Sequence, residues 1–198
     1  MSNRMVLSKL LKDNNFVVSR NRLTKYNFSG QQINSYLKNN LLVSIDKGKG
    51  IYASPNYLED PYYVSQLRIK KGIISLSTAL YLYGFSDRVP DKIDLTVPRG
   101  YKNSALKDEF VLHQQDLKFY KLGIEERKSP QDHLIKIYSL DRTMAEILRP
   151  QNHIDSEIIN SAFKQYIQSS KKNIAKLMYF AGLFRTTTKV QTYLEVLL

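Results

Sequence analysis

The sequence predicts an α+β protein with an N-terminal winged helix-turn-helix domain over residues 1–57 and a larger α+β domain over residues 62–198. Helical apolar spacing recurs three times near the N-terminus, and two β-prone runs that flank a glycine-containing turn follow it. Alternating, strand-like segments occupy much of residues 92–138, and residues 155–197 have helical periodicity. The larger domain is therefore expected to be a small sheet covered by helices, with a helical C-terminus.

The first two helices are predicted from apolar spacing and capping residues. Apolar residues at helical spacing predict an amphipathic helix over 3–13, which Asn14 and Asn15 end. A short extended stretch follows, and Ser19 is then placed to cap a helix over 20–25.

A third helix and a hairpin complete the predicted winged domain. Ser29 is placed to cap a helix over 30–40, whose apolar residues fall at i, i+3 and i+4. The β-prone runs 41–45 and 51–53 flank two glycines, which supply the positive φ that a hairpin turn needs. Three helices followed by a hairpin with lysines at its tip are typical of a winged helix.

Charge is concentrated in this first domain. The chain has 198 residues and a formal net charge of +12. Residues 1–54 hold nine basic and two acidic side chains, and residues 55–198 hold 21 and 16, so the net charges are +7 and +5. The segment 54–61, which contains Pro55 and Pro61, is predicted to be the linker. An excess of this kind favours a polyanionic partner, nucleic acid first and an anionic membrane surface second.

The third helix is the predicted recognition helix, because its polar face carries amide side chains that can bond to adenine and groups that reach phosphates. The same face is also consistent with a solvated surface or a protein-binding winged helix. Arg20 and Arg22 could instead pair with Asp13 or with chain-terminal groups. The predicted DNA-binding residues on the second and third helices and the wing are Arg20, Arg22, Lys25, Ser29, Gln31, Gln32, Asn34, Ser35, Lys38, Lys47 and Lys49.

Composition excludes several classes of site and location. The chain has no cysteine, so disulfides, thiolate metal sites and thiol nucleophiles are excluded. Its apolar runs are far shorter than the roughly 20 residues of a membrane-spanning helix, and the N-terminus lacks the apolar core of a signal peptide. We therefore expect a cytoplasmic protein that does not partner with a membrane.

The larger domain is predicted to mix helices with short strands. A helix starting near Tyr63 and another ending at Gly84 precede the strands, and Asp141 is expected to cap a later helix. Period-two alternation predicts strands over 92–98, 110–113, 117–121, 124–127 and 134–138, and helical spacing predicts helices over 155–168, 171–183 and 187–197.

Residues 73–101 of the larger domain resemble the AbiEi family of antitoxins. The family pattern is a Ser-x-x-Ser-Ala-Leu-Tyr-x-x-Gly helix, a Pro-x-x-Ile turn and a Val-Pro-Arg-Gly-Tyr segment. Thr78 departs from the helix pattern, and residues 139–146 resemble the family's downstream Asp-Arg-Glu-Arg-Thr segment with two residues missing. The matching residues are Ser75, Ser77, Ala79, Leu80, Gly84, Pro90, Pro98, Arg99, Gly100 and Tyr101.

This resemblance implies a role in bacterial abortive infection, a form of phage defence. AbiEi proteins are the antitoxins of type IV toxin–antitoxin systems. The N-terminal domain would bind inverted repeats in double-stranded DNA at its own promoter and repress transcription. The other domain would counteract a nucleotidyltransferase-like toxin without a stable complex. We expect no cofactor, and a monomer in solution, with pairing of two copies on DNA left open.

An enzyme is the alternative hypothesis for the larger domain. Asp91 and Asp94 flank a strand start, where paired carboxylates would hold magnesium for nucleotidyl transfer. A spacing of three puts them on opposite faces of a regular strand, whereas such sites need one face. His113, His133 and His153 lack the spacing of a zinc site, so we expect no metal and no catalytic residue.

Overall fold

The fold is α+β, as predicted. The computed structural model describes residues 3–46, 50–102 and 109–197. These residues form ten α-helices, a three-stranded sheet and a five-stranded sheet, with helices at the C-terminus. The chain divides into two compact units, Met1–Arg68 with Lys128–Leu134, and Ile69–Arg127 with Ile135–Leu198.

The first unit has the element order of a winged helix. Strand β3 lies between β1 and β2 and is antiparallel to both, with Ala53 opposite Val17 on one side and Val43 on the other. The first three helices and their strands agree closely with the predicted ranges. The elements of the first unit are α1 Asn3–Lys12, β1 Val17–Ser19, α2 Arg20–Lys25, α3 Gly30–Lys38, β2 Val43–Ser44, β3 Ile51–Ala53 and α4 Pro61–Arg68.

Strand β3 is buried on both of its faces. Because successive side chains of a strand point to opposite sides, Tyr52 joins the core formed with the helices, while Ile51 and Ala53 join a second cluster. Residues from α4, including Val64 and Leu67, pack against that second cluster. Helix α4 therefore groups with the first unit, although the sequence assigned residues from 62 onward to the other domain.

The second unit is built around the five-stranded sheet, in the order β6-β5-β4-β8-β7. Strand β5 pairs with β4 in antiparallel and with β6 in parallel orientation, and β4 is parallel to β8. The elements are β4 Ile73–Ile74, α5 Leu76–Tyr83, β5 Ile93–Pro98, β6 Phe110–Gln115, α6 Leu117–Tyr120, β7 Ile124–Lys128, β8 Leu134–Tyr138, α7 Leu140–Glu146, α8 Ser156–Gln168, α9 Ile174–Phe184 and α10 Thr187–Leu197.

Helix α7 is the centre of the second unit, and all seven of its residues are buried. The guanidinium of Arg142 lies over the Tyr138 ring at 3.3 Å from its centroid. Its Nε donates to Glu146 at 3.2 Å, and Nη1 donates to the carbonyl oxygens of Phe119 and Leu122. These acceptors and the Glu146 carboxylate compensate the burial of the guanidinium in part, because its buried Nη2 has no hydrogen-bond partner among the described residues.

Two local predictions in the second unit are wrong. Residues 117–121 were predicted to be a strand, but Leu117–Tyr120 form α6, because the amides of Phe119 and Tyr120 bond to the carbonyl oxygen of Asp116. Asp141 was predicted to cap α7, but Ser139 is the N-cap and accepts from the backbone of Arg142. Asp141 lies within the first turn instead.

Candidate nucleic-acid interface

The predicted recognition helix α3 begins with a capping box. Ser29 Oγ accepts from the amide of Gln32 at 3.2 Å, and Gln32 Oε1 accepts from the amide of Ser29 at 2.8 Å. The predicted caps of α2 and α3 are thus confirmed, since Ser19 also accepts from the amide of Arg22 at 3.3 Å. The box engages Gln32 Oε1 and leaves the Nε2 donor of Gln32 available for a base edge.

The opposite faces of α3 separate apolar from polar side chains. Ile33 is fully buried, and Tyr36 and Leu37 pack against the same core. Gln31, Asn34, Ser35 and Lys38 are exposed, as the helical spacing predicts. Ser35 is hydrogen-bonded to the side chain of Asn39. The exposed residues give α3 a face of donors and acceptors, with one cation in its last turn.

Arg20 lies between the start of α3 and the base of the hairpin. Its amide donates to the carbonyl oxygen of Gly50 at 2.7 Å. A Cβ atom built on Gly30 would lie 3.4 Å from Arg20 Nη2, so the guanidinium is beside the first turn of α3. Fixing a guanidinium at a helix N-terminus concentrates positive potential there, because the helix dipole has the same sign.

The other cations of this surface are exposed. Arg22, Lys25 and Lys38 are open to solvent. Within the described part of the chain, none of these three or Arg20 forms a salt bridge, so the alternative pairing with Asp13 is not observed there. Exposed cations without salt bridges are what phosphate contacts require.

The predicted wing is described only at its base. Lys47 and Lys49 lie outside the described residues. Asp46 is buried, and its Oδ2 accepts from the amide of Ile51 at 3.1 Å, while Gly50 has φ +95°. The Asp46 carboxylate thus closes the base of the hairpin.

A buried polar cluster in the first unit was missed entirely. His133 Nδ1 lies 2.7 Å from Asp60 Oδ2, and Ser129 Oγ donates to the same oxygen. The His133 ring stacks on Tyr63 at 4.3 Å between centroids, and burial raises the pKa of Tyr63, while nearby Arg22 lowers it. The cluster joins the segment 128–134 to the first unit. Sequence spacing held no signal for it, because the partners are 73 residues apart.

The family-motif residues have structural positions in the second unit. Ala79 and Leu80 are buried on α5, and Gly84 ends that helix with φ +80°. Ser75 is the N-cap by backbone position, and its Oγ accepts from Thr96 at 2.9 Å instead of capping the helix. Ser77 is half-buried on α5 and Pro90 is half-buried before β5.

The Val-Pro-Arg-Gly-Tyr segment forms a braced turn after β5. Pro98 ends the strand, and Gly100 has φ +84°. The side chain of Gln114 accepts from the amide of Gly100 and donates to the carbonyl oxygen of Tyr101. Arg99 forms an exposed salt bridge with Asp116 at 3.1 Å. Because one glutamine forms hydrogen bonds to both sides of the turn, the turn structure accounts for the presence of these motif residues.

The carboxylates considered for metal binding have different environments. Asp94 is buried, with Oδ1 2.8 Å from His113 Nε2 and Oδ2 3.3 Å from both the amide and the hydroxyl of Thr78. Asp91 is exposed and precedes β5. In the described ranges, no three His, Cys, Asp or Glu side chains converge as metal ligands. Nor does any helix there have the length and apolar character needed to cross a membrane.

Comparisons with known proteins define the fold alone. The chain matches no protein-family profile and no curated protein. Its structure is similar to the crystal structure of the RV2827C protein from Mycobacterium tuberculosis, with a TM-score of 0.52 and 17% sequence identity. The similarity covers 89% of this chain and 79% of that one. A fold of this kind is therefore found in a solved protein of distant sequence.

Proposed function

We propose that the protein is a DNA-binding transcriptional autorepressor and the antitoxin of a type IV toxin–antitoxin pair, acting in the bacterial cytoplasm. One observation carries the DNA-binding part. In the first unit, Arg20 lies beside the first turn of α3, Lys38 lies in its last turn, and Arg22 and Lys25 are exposed on α2, all without salt bridges among the described residues. A surface of this kind suits a duplex, where cations contact phosphates and amide groups contact base edges.

In the proposed complex, α3 enters the major groove. Gln31 and Asn34 reach base edges, and Gln32 contributes its Nε2 donor. The four cations contact the flanking phosphates, and Lys47 and Lys49 on the wing extend these contacts along the backbone. Inverted repeats at the promoter would bind two copies, each reading one half-site.

The antitoxin part of the proposal depends on the resemblance at residues 73–101. The functional partner would be a nucleotidyltransferase-like toxin, which the protein counteracts without a stable complex. The structure accounts for the motif residues by their packing and turn geometry. They maintain the fold that the antitoxin activity would need, and they are not proposed as contacts with the toxin.

The DNA-binding proposal is tested by fluorescence anisotropy of the full chain on its own promoter and on random duplex, between 50 and 300 mM salt (about a sixfold range). The full chain is required, because a fragment of residues 1–60 would lack α4 and His133, which pack within the first unit. We expect log affinity to fall linearly with log salt, with a slope of about −0.9 for each phosphate contacted. Affinity that is absent or independent of salt refutes the proposal.

Matched variants separate the roles of the residues. Two double variants should weaken binding to all DNA sequences alike and lower the salt slope by about 1–2. They are Arg22→Gln with Lys38→Gln, and Lys47→Ala with Lys49→Ala. Asn34→Ala should cost about 1–3 kcal/mol on the operator and little on random DNA. Lys164→Gln, which removes one exposed positive charge on α8, is the control. Equal losses for Asn34→Ala on both DNAs contradict base reading.

The antitoxin activity needs a separate assay. Co-expression with the toxin gene of the same operon should restore growth, and the Arg22→Gln, Lys38→Gln variant should still do so when transcribed from an unrelated promoter. Failure of the wild type to restore growth refutes the antitoxin part while leaving repression intact. If the protein does not bind its promoter but a protein partner binds α3, the alternative of a protein-binding winged helix is supported.

The enzyme alternative is tested by nucleotide transfer from labelled triphosphates. Asp94 is the more buried carboxylate, and its oxygens already accept from Thr78 and face His113. If the wild type transfers a nucleotide and Asp91→Ala abolishes this activity, a nucleotidyltransferase-like enzyme is favoured over the proposed function.

A further inference from the structure

A cavity of about 450 Å³ is lined by residues of the second unit alone. Its walls come from β7, from the start of α7 and from the loop that joins α8 to α9. Four basic side chains line it, together with two carboxylates. The basic ones are Arg127, Lys171, Lys172 and Lys176, and the acidic ones are Glu125 and Asp141. This volume is within the range of small-molecule sites, roughly 300–1,000 Å³.

The basic side chains of the cavity are not neutralised by salt bridges. Arg127 lies over the Tyr83 ring, 4.8 Å from its centroid, and Lys172 Nζ donates to the carbonyl oxygen of Ile167 at 2.6 Å. Lys171 and Lys176 are exposed. Across the described ranges, none of the four has a carboxylate within salt-bridge distance. Their charges are therefore available to an anion in the cavity.

The loop between α8 and α9 is held in a fixed conformation. Asn173 caps α9, since its Oδ1 accepts from the amide of Lys176 at 3.0 Å. The amide of Asn173 donates to the Tyr166 hydroxyl at 2.9 Å, and that hydroxyl donates to Asp141 at 2.6 Å. Lys171 and Lys176 are thus carried by a loop and a first helical turn that buried groups anchor, and the positive end of the α9 dipole adds to their potential.

The two carboxylates indicate what else the ligand carries. Glu125 Oε2 accepts from the Tyr83 hydroxyl at 3.1 Å, and Asp141 Oδ1 accepts from Tyr166 and Asn173. Each carboxylate has a second oxygen for which the described residues supply no donor. A continuous phosphate backbone would meet repulsion from these oxygens, whereas sugar hydroxyls would donate to them.

We propose that this cavity binds a small phosphorylated sugar or nucleotide, with its phosphate at Lys171, Lys176 and Arg127 and its hydroxyl groups at Glu125 and Asp141. The site goes beyond the proposed function, because promoter binding uses the other unit. It assigns a ligand class to the second unit on the basis of the mixed charge around one open cavity.

The test is isothermal titration calorimetry of the full chain with ribose 5-phosphate and with ADP, at 150 mM salt (about physiological). Both should bind saturably with a stoichiometry of one. Lys171→Gln with Lys176→Gln should weaken both at least about tenfold, the loss of roughly one charge-assisted hydrogen bond. Lys164→Gln, an exposed single-charge control on α8, should bind like the wild type, and unchanged far-ultraviolet circular dichroism should show that each variant is folded.

Two further arms fix the ligand class. Glu125→Ala should weaken ribose 5-phosphate several-fold but leave competition by inorganic phosphate unchanged, because only the sugar reaches that carboxylate. No saturable binding of either probe, or equal losses in the cavity and control variants, overturns the proposal. It is also overturned if duplex DNA displaces the bound probe and the cavity variants lose DNA affinity by the same factor, since the lysines would then serve nucleic acid.

Discussion

Replacing His133 by alanine should cost far more stability than any surface change in the same segment. Its side chain is 4% exposed, and that of Asp60 is fully buried. His133 Nε2 lies 3.0 Å from the carbonyl oxygen of Asn15, which only accepts, so this nitrogen carries a proton. The ring is thus bonded at both nitrogens, and it also stacks on Tyr63.

The expected loss follows from what the substitution leaves behind. Asp60 would keep the hydroxyl of Ser129 and the amide of Tyr63 but lose its bond to the ring in a site without water access. Loss of a hydrogen-bond partner at the buried Asp60 carboxylate and at the Asn15 carbonyl oxygen costs about 1–3 kcal/mol per group. Loss of the ring stacking adds about 0.5–1.5 kcal/mol. We therefore expect the free energy of unfolding to fall by at least about 3 kcal/mol.

Urea unfolding monitored by circular dichroism measures this loss. Lys128→Ala is the matched control in the same segment, because the Lys128–Asp132 salt bridge is 69% and 80% exposed and such pairs are worth about 0–1 kcal/mol. In a double-mutant cycle, Asp60→Asn with His133→Ala should cost less than the sum of the single losses, by about 1.5 kcal/mol or more. Additive losses, or a His133→Ala loss under 1 kcal/mol (about that of the control), would refute the buried pair.

Three other predictions concern caps, glycines and tyrosines. Ser29→Ala should lower the free energy of unfolding by about 1 kcal/mol, because it opens the capping box of α3. Gly123→Ala should destabilise the protein by more than about 1 kcal/mol, because Gly123 has a φ of +65° and the new Cβ would lie 2.9 Å from Phe180 Cζ. Gly182→Ala in α9 should instead stabilise it by about 0.5–1 kcal/mol, because the new Cβ would meet nothing within 4 Å. Calorimetric melting of both glycine variants decides this, and equal shifts would contradict it. Burial raises the pKa of Tyr57 to about 12. Ultraviolet titration should therefore show a tyrosine that ionises near pH 12, and Tyr57→Phe should remove this transition. The contribution of Tyr57 to stability should be full below pH 10 and should fall as the pH rises toward 12.

The winged helix was predictable because its signals are local. Ser19 and Ser29 cap the helices that they precede in sequence, and the apolar spacing of Ile33, Tyr36 and Leu37 alone indicates which face of α3 is buried. The exposure of Asn34 and Lys38 follows from the same spacing. The roles of Gln32 and Asp46 were less predictable, because polar residues of one type serve as caps, hairpin closures or base contacts according to the backbone atoms nearby.

The sequence by itself determined the α+β class, the order of helices and strands in the first unit, and the concentration of charge there. Only the tertiary structure decided that α4 and residues 128–134 complete that unit, because β3 needs cover on its second face and Asp60 needs a partner 73 residues away. It also decided that the lysines of the α8–α9 loop share one cavity with Arg127 and Glu125. Local patterns record the period of a helix or strand, whereas burial and charge pairing between distant segments depend on how the chain packs.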